Sequence, residues 1–189
     1  MIRPTPHALP GAEDRTPWSV RPARPADAEA WHALQRGIYA EGTAFVGDGP
    51  PAAASLAARL RGLDPEEGHI ALAVAGPGPI GWIELHRWAS RRLAHVAYLT
   101  VAVAPGWRGQ GVGTALLGAA HAWALARRLR KLQLHVRAGN TGAIALYRRL
   151  GYELEGVLRD QVAVSRGDGG ARAYEDEWIM ARHLTTGGA

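Results

Sequence analysis

The 189-residue chain contains no cysteine, which removes disulfides, thiolate metal sites and any covalent thioester carried on the protein itself. It also lacks a long apolar run. The stretch from Leu93 to Pro105 is broken by His95 and Thr100, well short of the roughly 20 apolar residues that a spanning helix needs. Residues 1–17 hold Arg3, Glu13, Asp14 and several prolines without the continuous apolar centre of a signal peptide, and they read as a loose tail. No arginine or lysine run alternates with aromatics as in a nucleic-acid platform, so the net charge of +5 reads as a solvated, arginine-rich surface. Eight histidines are present, but His69, His86, His95, His121 and His135 show no close pairs of the kind that zinc sites use, and no metal is expected. These absences leave a cytoplasmic protein with one sizeable core, placed at residues 18–185.

What is present alternates between strand and helix. Residues 19–24 read as a strand, and Asp27 is placed to cap a helix running to Tyr39. Residues 41–51 are rich in glycine and proline and read as a loop, after which Ser55 is expected to cap a short helix ending near Leu63. Two strand-like runs, 69–75 and 80–86, flank Gly-Pro-Gly-Pro and predict a hairpin. The spacing then predicts a strand over 93–103, a long helix over 111–130 and a strand over 131–136. A compact helix over 140–150 follows, closed by Gly151, and two final strands lie near 152–164 and 174–184. The pattern argues for an α/β fold with a sheet of mixed direction.

The most informative segment runs Val101-Ala-Val-Ala-Pro-Gly-Trp-Arg-Gly-Gln-Gly-Val-Gly-Thr114, an apolar strand entering a glycine-rich turn that opens a helix. Glycines at 109, 111 and 113 let the backbone approach a ligand, and the helix start favours phosphate oxygens. Arg108 adds forked donors. The segment lacks the Gly-Lys-Ser/Thr ending of a nucleoside triphosphate loop. Its glycine spacing and the basic Arg128 and Lys131 further on also disagree with a dinucleotide fold. Alone, it could be a tight turn without a ligand.

The segment resembles the coenzyme A loop of the GNAT N-acetyltransferases, which reads Arg or Gln, two residues, Gly, one residue, then Gly or Ala. Here Arg108, Gly111 and Gly113 fill those positions. A second signature of the family resembles Asn140-Thr-Gly-Ala-Ile-Ala-Leu-Tyr-Arg-Arg-Leu-Gly-Tyr152, with Asn140, Ala143, Leu146-Tyr147 and Gly151-Tyr152 in place. The resemblance implies a single GNAT-like domain, a mixed and mostly antiparallel sheet of about seven strands flanked by about four helices. It implies acetyl-CoA as cosubstrate, with the sheet splayed beside the strand ending at Val103. Val101 and Val103 would meet the pantetheine arm. Arg108, Gly109, Gln110, Gly111, Val112, Gly113 and Thr114 would hold the pyrophosphate, and Asn140 would face the cofactor besides capping its helix. Tyr147 is the expected acid for the departing thiolate, although a tyrosine on an apolar helix face also simply packs.

The amine must lose a proton, and Glu84 is the expected base because it follows Gly81-Trp82-Ile83 on a strand that resembles the family's third. Its alternation with Ile83 and Leu85 equally fits a solvent-facing glutamate. Trp82, Trp88, Tyr98 and Phe45 are candidate walls of an acceptor pocket, and Glu41, Asp48 and Glu84 would have to converge for a polycationic acceptor. The basic residues 127, 128, 130 and 131 are expected to offset the dipole of the long helix. The reading is direct transfer of acetyl to the primary amine of a small molecule, an amino acid or a protein amino terminus. No nucleic acid or membrane takes part, and homodimerisation is left open. The alternative is a module that binds coenzyme A without catalysis.

Overall fold

The Gly-Pro-Gly-Pro stretch reverses the chain as its composition predicts. Gly76 takes φ +54°, and β2 (Gly68–Ala75) and β3 (Gly78–Arg87) pair antiparallel from Ala75↔Gly78 to Gly68↔His86. The computed structural model describes residues 16–43, 45–47, 49–164 and 173–184. Strand β1 (Trp18–Pro22) adds antiparallel to β2, and β4 (Val96–Val103) adds antiparallel to β3. Between β1 and β2 the chain forms α1 (Ala28–Tyr39) and α2 (Ala53–Gly62). From β4, α3 (Val112–Ala126) carries it to β5 (Lys131–Arg137), which is parallel to β4, and α4 (Thr141–Arg149) follows. Strands β6 (Glu153–Val164) and β7 (Ala173–His183) form a closing hairpin with β7 inserted beside β5, so the order is β1-β2-β3-β4-β5-β7-β6.

Strand alternation divides the core between the two faces of this seven-stranded sheet. Ile83, Leu85, Leu132, Leu134 and Val136 pack with Leu116, Leu117 and Ala120 of α3 and with Ile144 and Tyr147 of α4. Trp82, Ile70 and Leu72 point the other way, onto Trp31 and Ile38 of α1 and Leu56 of α2. At Gly81 a Cβ would lie 2.9 Å from Ala102 O and 3.2 Å from Leu116 Cδ1, so the lack of a side chain there lets α3 close on the sheet.

Several sequence expectations are corrected at element ends. Asp27 precedes α1 without bonding its first amides. Its carboxylate instead accepts from Arg24 N at 2.7 Å and from both terminal nitrogens of Arg21 at 2.7 Å. Ser55 lies inside α2, which starts at Ala53 with Ala52 as its uncapped first residue. Residues 91–93 form a 3₁₀ turn ahead of β4. Helix α3 stops at Ala126. Arg127 leaves it to cover the Trp123 ring at 4.8 Å and donates to Pro65 O at 2.7 Å, while Lys131 pairs with Glu155 at 2.5 Å from within β5. Arg127, which closes the helix, and Lys131 thus also hold neighbouring segments. Most of the expected tail, residues 1–15, lies outside the described residues.

A polar knot ties α3 to the far half of the sheet. Arg182 of β7 donates to His121 Nδ1 at 2.9 Å, and His121 Nε2 lies 3.1 Å from the Tyr152 hydroxyl. Burial, aided by the Arg182 charge, pushes the His121 imidazole down to about 4. A base whose folded pKa lies below its unfolded value of about 6.5 is uncharged in the native state but charged once unfolded. Stability is therefore lost as pH falls from about 6.5 toward 4. We expect the melting temperature of the native chain to drop more between pH 7.5 and pH 5 than that of His121→Gln. Parallel curves for the two proteins would remove His121 from the acid response.

Candidate active site

Strand β4 continues to pair with β3 up to Val103, but its pairing with β5 covers only Val96–Tyr98 against Lys131–Gln133. Beyond Tyr98 the strands diverge, and the main-chain edge of residues 99–103 faces a cleft of ≈ 940 Å³. On its other edge β5 pairs with β7 along its whole length, from Lys131↔His183 to Arg137↔Glu177, so the sheet opens on the β4 side alone.

The glycine turn closes one end of the cleft. Gly109 and Gly111 adopt φ +72° and +84°, and a Cβ on either would meet nothing within 4 Å. The turn is thus a cradle with room beside its backbone, opening onto the uncapped first turn of α3. Of the residues expected here, Val101, Val103, Arg108, Gly109, Gly111, Gly113, Thr114, Asn140 and Tyr147 all line the cleft. Two turn their side chains away. Gln110 donates back to Gly106 O at 2.8 Å, and Val112 is buried in the core, so these positions have only their backbones left for a ligand. Arg108 already holds an anion: its two terminal nitrogens donate to the Glu41 carboxylate at 2.8 Å each, and its Nε donates to Val103 O at 3.0 Å.

Asn140 caps α4 as expected, its Oδ1 accepting from Ala143 N at 3.2 Å. The cap fixes the helix that carries Tyr147 into the cleft wall. Tyr147 is only 6% exposed, its ring centroid 5.8 Å from that of Tyr152. Burial, with Tyr98 adding to it, raises its phenol well above the usual range.

Glu84 lies on β3 opposite Thr100, but its carboxylate is held by Arg59 of α2, with His86 Nε2 at 3.6 Å. It does not line the cleft. A carboxylate clamped by a guanidinium has its lone pairs engaged and is poorly placed to take a proton from an amine. Trp88 is an exposed residue of another surface, and Trp82 lies behind Phe45, their rings stacked at 5.7 Å with Tyr39 outermost. Only Phe45 and Tyr98 of the four proposed aromatics reach the cleft. Asp48 is outside the described residues, while Glu41 and Glu84 are paired with different arginines, so the acidic convergence is not formed by those two.

Sequence reasoning missed a polar group across the mouth. From β5 and β7, His135, Arg137, Glu175 and Glu177 face the same cleft. Arg137 donates to Glu175 Oε2 through Nε at 2.8 Å and Nη2 at 2.5 Å, and through Nη1 to Gly42 O at 2.6 Å. Glu175 Oε1 accepts from Gly139 N at 2.5 Å. One ion pair thereby fastens the loop after α1, the end of β5 and the turn into α4. The alternation Lys131-x-Gln133-x-His135-x-Arg137 signalled a shared polar face, but nothing local says that this face meets the cleft.

A profile of the Acetyltransferase (GNAT) family matches residues 29–152. The aminoglycoside N(6')-acetyltransferase type 1 of Stenotrophomonas maltophilia is 33% identical over 141 residues, which are 71% of this chain and 86% of that protein. A mycothiol acetyltransferase of Pseudarthrobacter chlorophenolicus is 33% identical over 139 residues, 71% of this chain but 42% of its own length. Among solved structures, a GCN5-related N-acetyltransferase from Kribbella flavida superposes with a TM-score of 0.74 at 27% identity, over 88% of this chain and 98% of that one. A phosphinothricin acetyltransferase from Sinorhizobium meliloti in complex with AcCoA shares the fold, with a TM-score of 0.77 at 24% identity over 90% of each chain.

Proposed function

The chain belongs to the GNAT acetyltransferase family and is an acetyl-CoA-dependent N-acetyltransferase, and from that premise we propose that it passes acetyl directly to the primary amine of a small, singly charged acceptor. The observation that carries this reading is the unpaired edge of β4 at residues 99–103, with the glycine cradle at one end and Tyr147 in its wall. The residues present fit acetyl-CoA. Positive φ and open space at Gly109 and Gly111, beside the first amides of α3, suit a pyrophosphate. The edge at Val101 and Val103 suits the amides of an extended arm, and Asn140 and Thr114 flank it. Bound there, acetyl-CoA supplies an acyl group activated as a thioester. Arg108 contributes to phosphate binding by exchanging the Glu41 carboxylate for phosphate oxygens.

Tyr147 holds a proton that its burial keeps in place, ready for the leaving sulfur. No cysteine is available to carry a thioester on the protein, which supports attack by the amine itself in a ternary complex. The cleft lining includes Arg108, Arg137 and Arg149 with Glu175 and Glu177, and Arg108 is paired with Glu41 and Arg137 with Glu175. Among the described residues that leaves Glu177 as the lining carboxylate without an arginine partner, which suits one ammonium, as on a small amine, an amino acid or a protein amino terminus, better than a polycation such as an aminoglycoside. Among the described residues no helix is long and apolar enough to cross a membrane.

The test is release of free thiol from acetyl-CoA across monoamines, amino acids, peptides and an aminoglycoside. We expect turnover with a singly charged acceptor and little with the aminoglycoside. Acetyl-CoA at a hundredfold over its Kd should also stabilise the fold by about 2.7 kcal/mol. For a chain of this size that raises the melting temperature by roughly 5–10 °C. No thermal shift at millimolar acetyl-CoA would sink the cofactor site. A shift without thiol release from any amine would leave a binding module in its place.

A further inference from the structure

Resting on the reading above, we propose that His135, oriented by Glu177, is the general base that deprotonates the acceptor amine. Three observations meet at this pair. His135 lines the cleft from β5, and its Nδ1 lies 3.3 Å from Glu177 Oε2 on β7. Glu177 is 9% exposed and, with its partner Arg137↔Glu177 in register, is fixed by the strand pairing on either side. The imidazole meets the Tyr98 ring edge-on, with centroids 5.5 Å apart. A carboxylate accepts only, so the proton between the two must reside on Nδ1, which leaves the Nε2 lone pair free to accept. That is the arrangement of a base whose tautomer is set by an acid behind it.

The geometry also separates base from acid. In β5, Leu132, Leu134 and Val136 face α3 and α4, so His135 projects from the opposite side of the sheet, the side of Phe45. Tyr147 comes from α4 on the first side. Tyr98, which raises Tyr147's phenol through its nearness and whose own phenol is raised by burial and by Glu177, lies between them at the last residue where β4 and β5 still pair. An acceptor therefore meets His135 on one face of the gap and the sulfur meets Tyr147 on the other. Nε2 of His135 first takes a proton from the incoming ammonium, and the neutral amine nitrogen then forms its bond to the thioester carbon. The carbon–sulfur bond breaks as the sulfur takes the phenol proton of Tyr147, and the phenolate regains a proton, through solvent, from the second one that the nitrogen sheds. The products are an amide, a thiol and an imidazolium beside Glu177, which gives its proton to solvent and restores the enzyme. Arg137 and Glu175, which line the same cleft, neutralise each other at 2.5 Å.

The experiment measures kcat/KM for one accepted amine from pH 6.5 to 10 in native protein, His135→Gln, His135→Asn, Glu177→Gln and Glu177→Asp. The acetyl-CoA thermal shift is recorded for each as a check on folding and cofactor binding. We expect both His135 variants to keep that shift and to lose on the order of 10²-fold at pH 7. The deficit should shrink as pH rises through the amine's own pKa, where the acceptor arrives already neutral. Glu177→Gln should lose about tenfold with the same pH trend, and Glu177→Asp should recover part of it, because the carboxylate acts only through the imidazole. A deficit of equal size at every pH, or native turnover in His135→Gln at pH 7, would overturn this inference alone. So would a pH-dependent deficit in Glu84→Gln in place of the His135 variants. Native protein without turnover on any amine would overturn the acetyl-transfer reading along with it.

Discussion

Replacing Tyr147 with phenylalanine will lower kcat about 10³-fold while leaving acetyl-CoA affinity unchanged. The substitution keeps the ring, its packing among the α3 and α4 core residues and its contact with Tyr152, and removes one hydroxyl. If that hydroxyl stabilises the departing sulfur, it matters only as charge develops there, so the loss falls on the maximal rate and not on ground-state binding. A positioned acid contributes typically 10²- to 10⁴-fold. We place this one in the middle because Tyr147 is 6% exposed, which leaves little room for a water to substitute for it. Burial holds the phenol protonated through the whole working pH range, so the deficit should be the same at pH 6.5 and pH 9. That flat profile sets it apart from the His135 variants. Single-turnover rates with a fast acceptor provide the check. A folded Tyr147→Phe protein with native single-turnover rates would leave Tyr147 as packing alone.

The second large effect is expected at Gly111. Its φ of +84° lies in a region that side chains enter at a cost of about 1–2 kcal/mol, more for a β-branched residue. Gly111→Val should therefore lower the melting temperature by roughly 3–8 °C. Its side chain would also project into the empty space beside the cradle, where a Cβ meets nothing within 4 Å. Acetyl-CoA affinity should fall by at least about 10²-fold, equivalent to about 2.7 kcal/mol. Gly76→Val separates the two terms, since Gly76 has φ +54° and equally open surroundings but turns the β2–β3 hairpin away from the cleft. It should lose stability and keep its affinity, as read by calorimetric titration. Similar affinity losses in both variants would mean that backbone strain, not occupancy of the cradle, controls binding.

Legibility in the sequence followed the range of the interactions. The helix from Thr141 to Arg149 could be read in full because its cap, its apolar face and its left-handed terminator, Gly151 at φ +81°, lie within a dozen residues. The hairpin at Gly76 and the glycine cradle were readable for the same reason. Helix ends were less so: Ser55 has the chemistry of a cap, yet α2 begins two residues earlier, and Asp27 found stronger partners in Arg21 and Arg24. The groups that meet by topology were hidden. His135 and Glu177 are 42 positions apart, and Arg108 reaches Glu41 across 67. Glu84 was favoured because its strand was recognisable, but its carboxylate is committed to Arg59, a contact set by how α2 lies on the sheet. Alternation tells which residues share a face and stays silent about what that face meets.

The parting of β4 from β5 after Tyr98 leaves an unfinished sheet inside the molecule. An exposed strand edge invites pairing with other chains, but this one lines a cleft in the middle of the sheet and not its rim. What can reach it is a slender, amide-bearing chain about as wide as the strand that is missing, roughly 4.8 Å. Recognition by main chain of this kind is indifferent to the side chains that display it. Conservative exchanges at Val101 or Val103 should pass almost unnoticed by the ligand, whereas lengthening the β4–β5 pairing by even one residue pair would begin to zip the site shut. The specificity of this region is stored in where a hydrogen-bonded ladder stops, and it can outlast extensive drift in the residues around it.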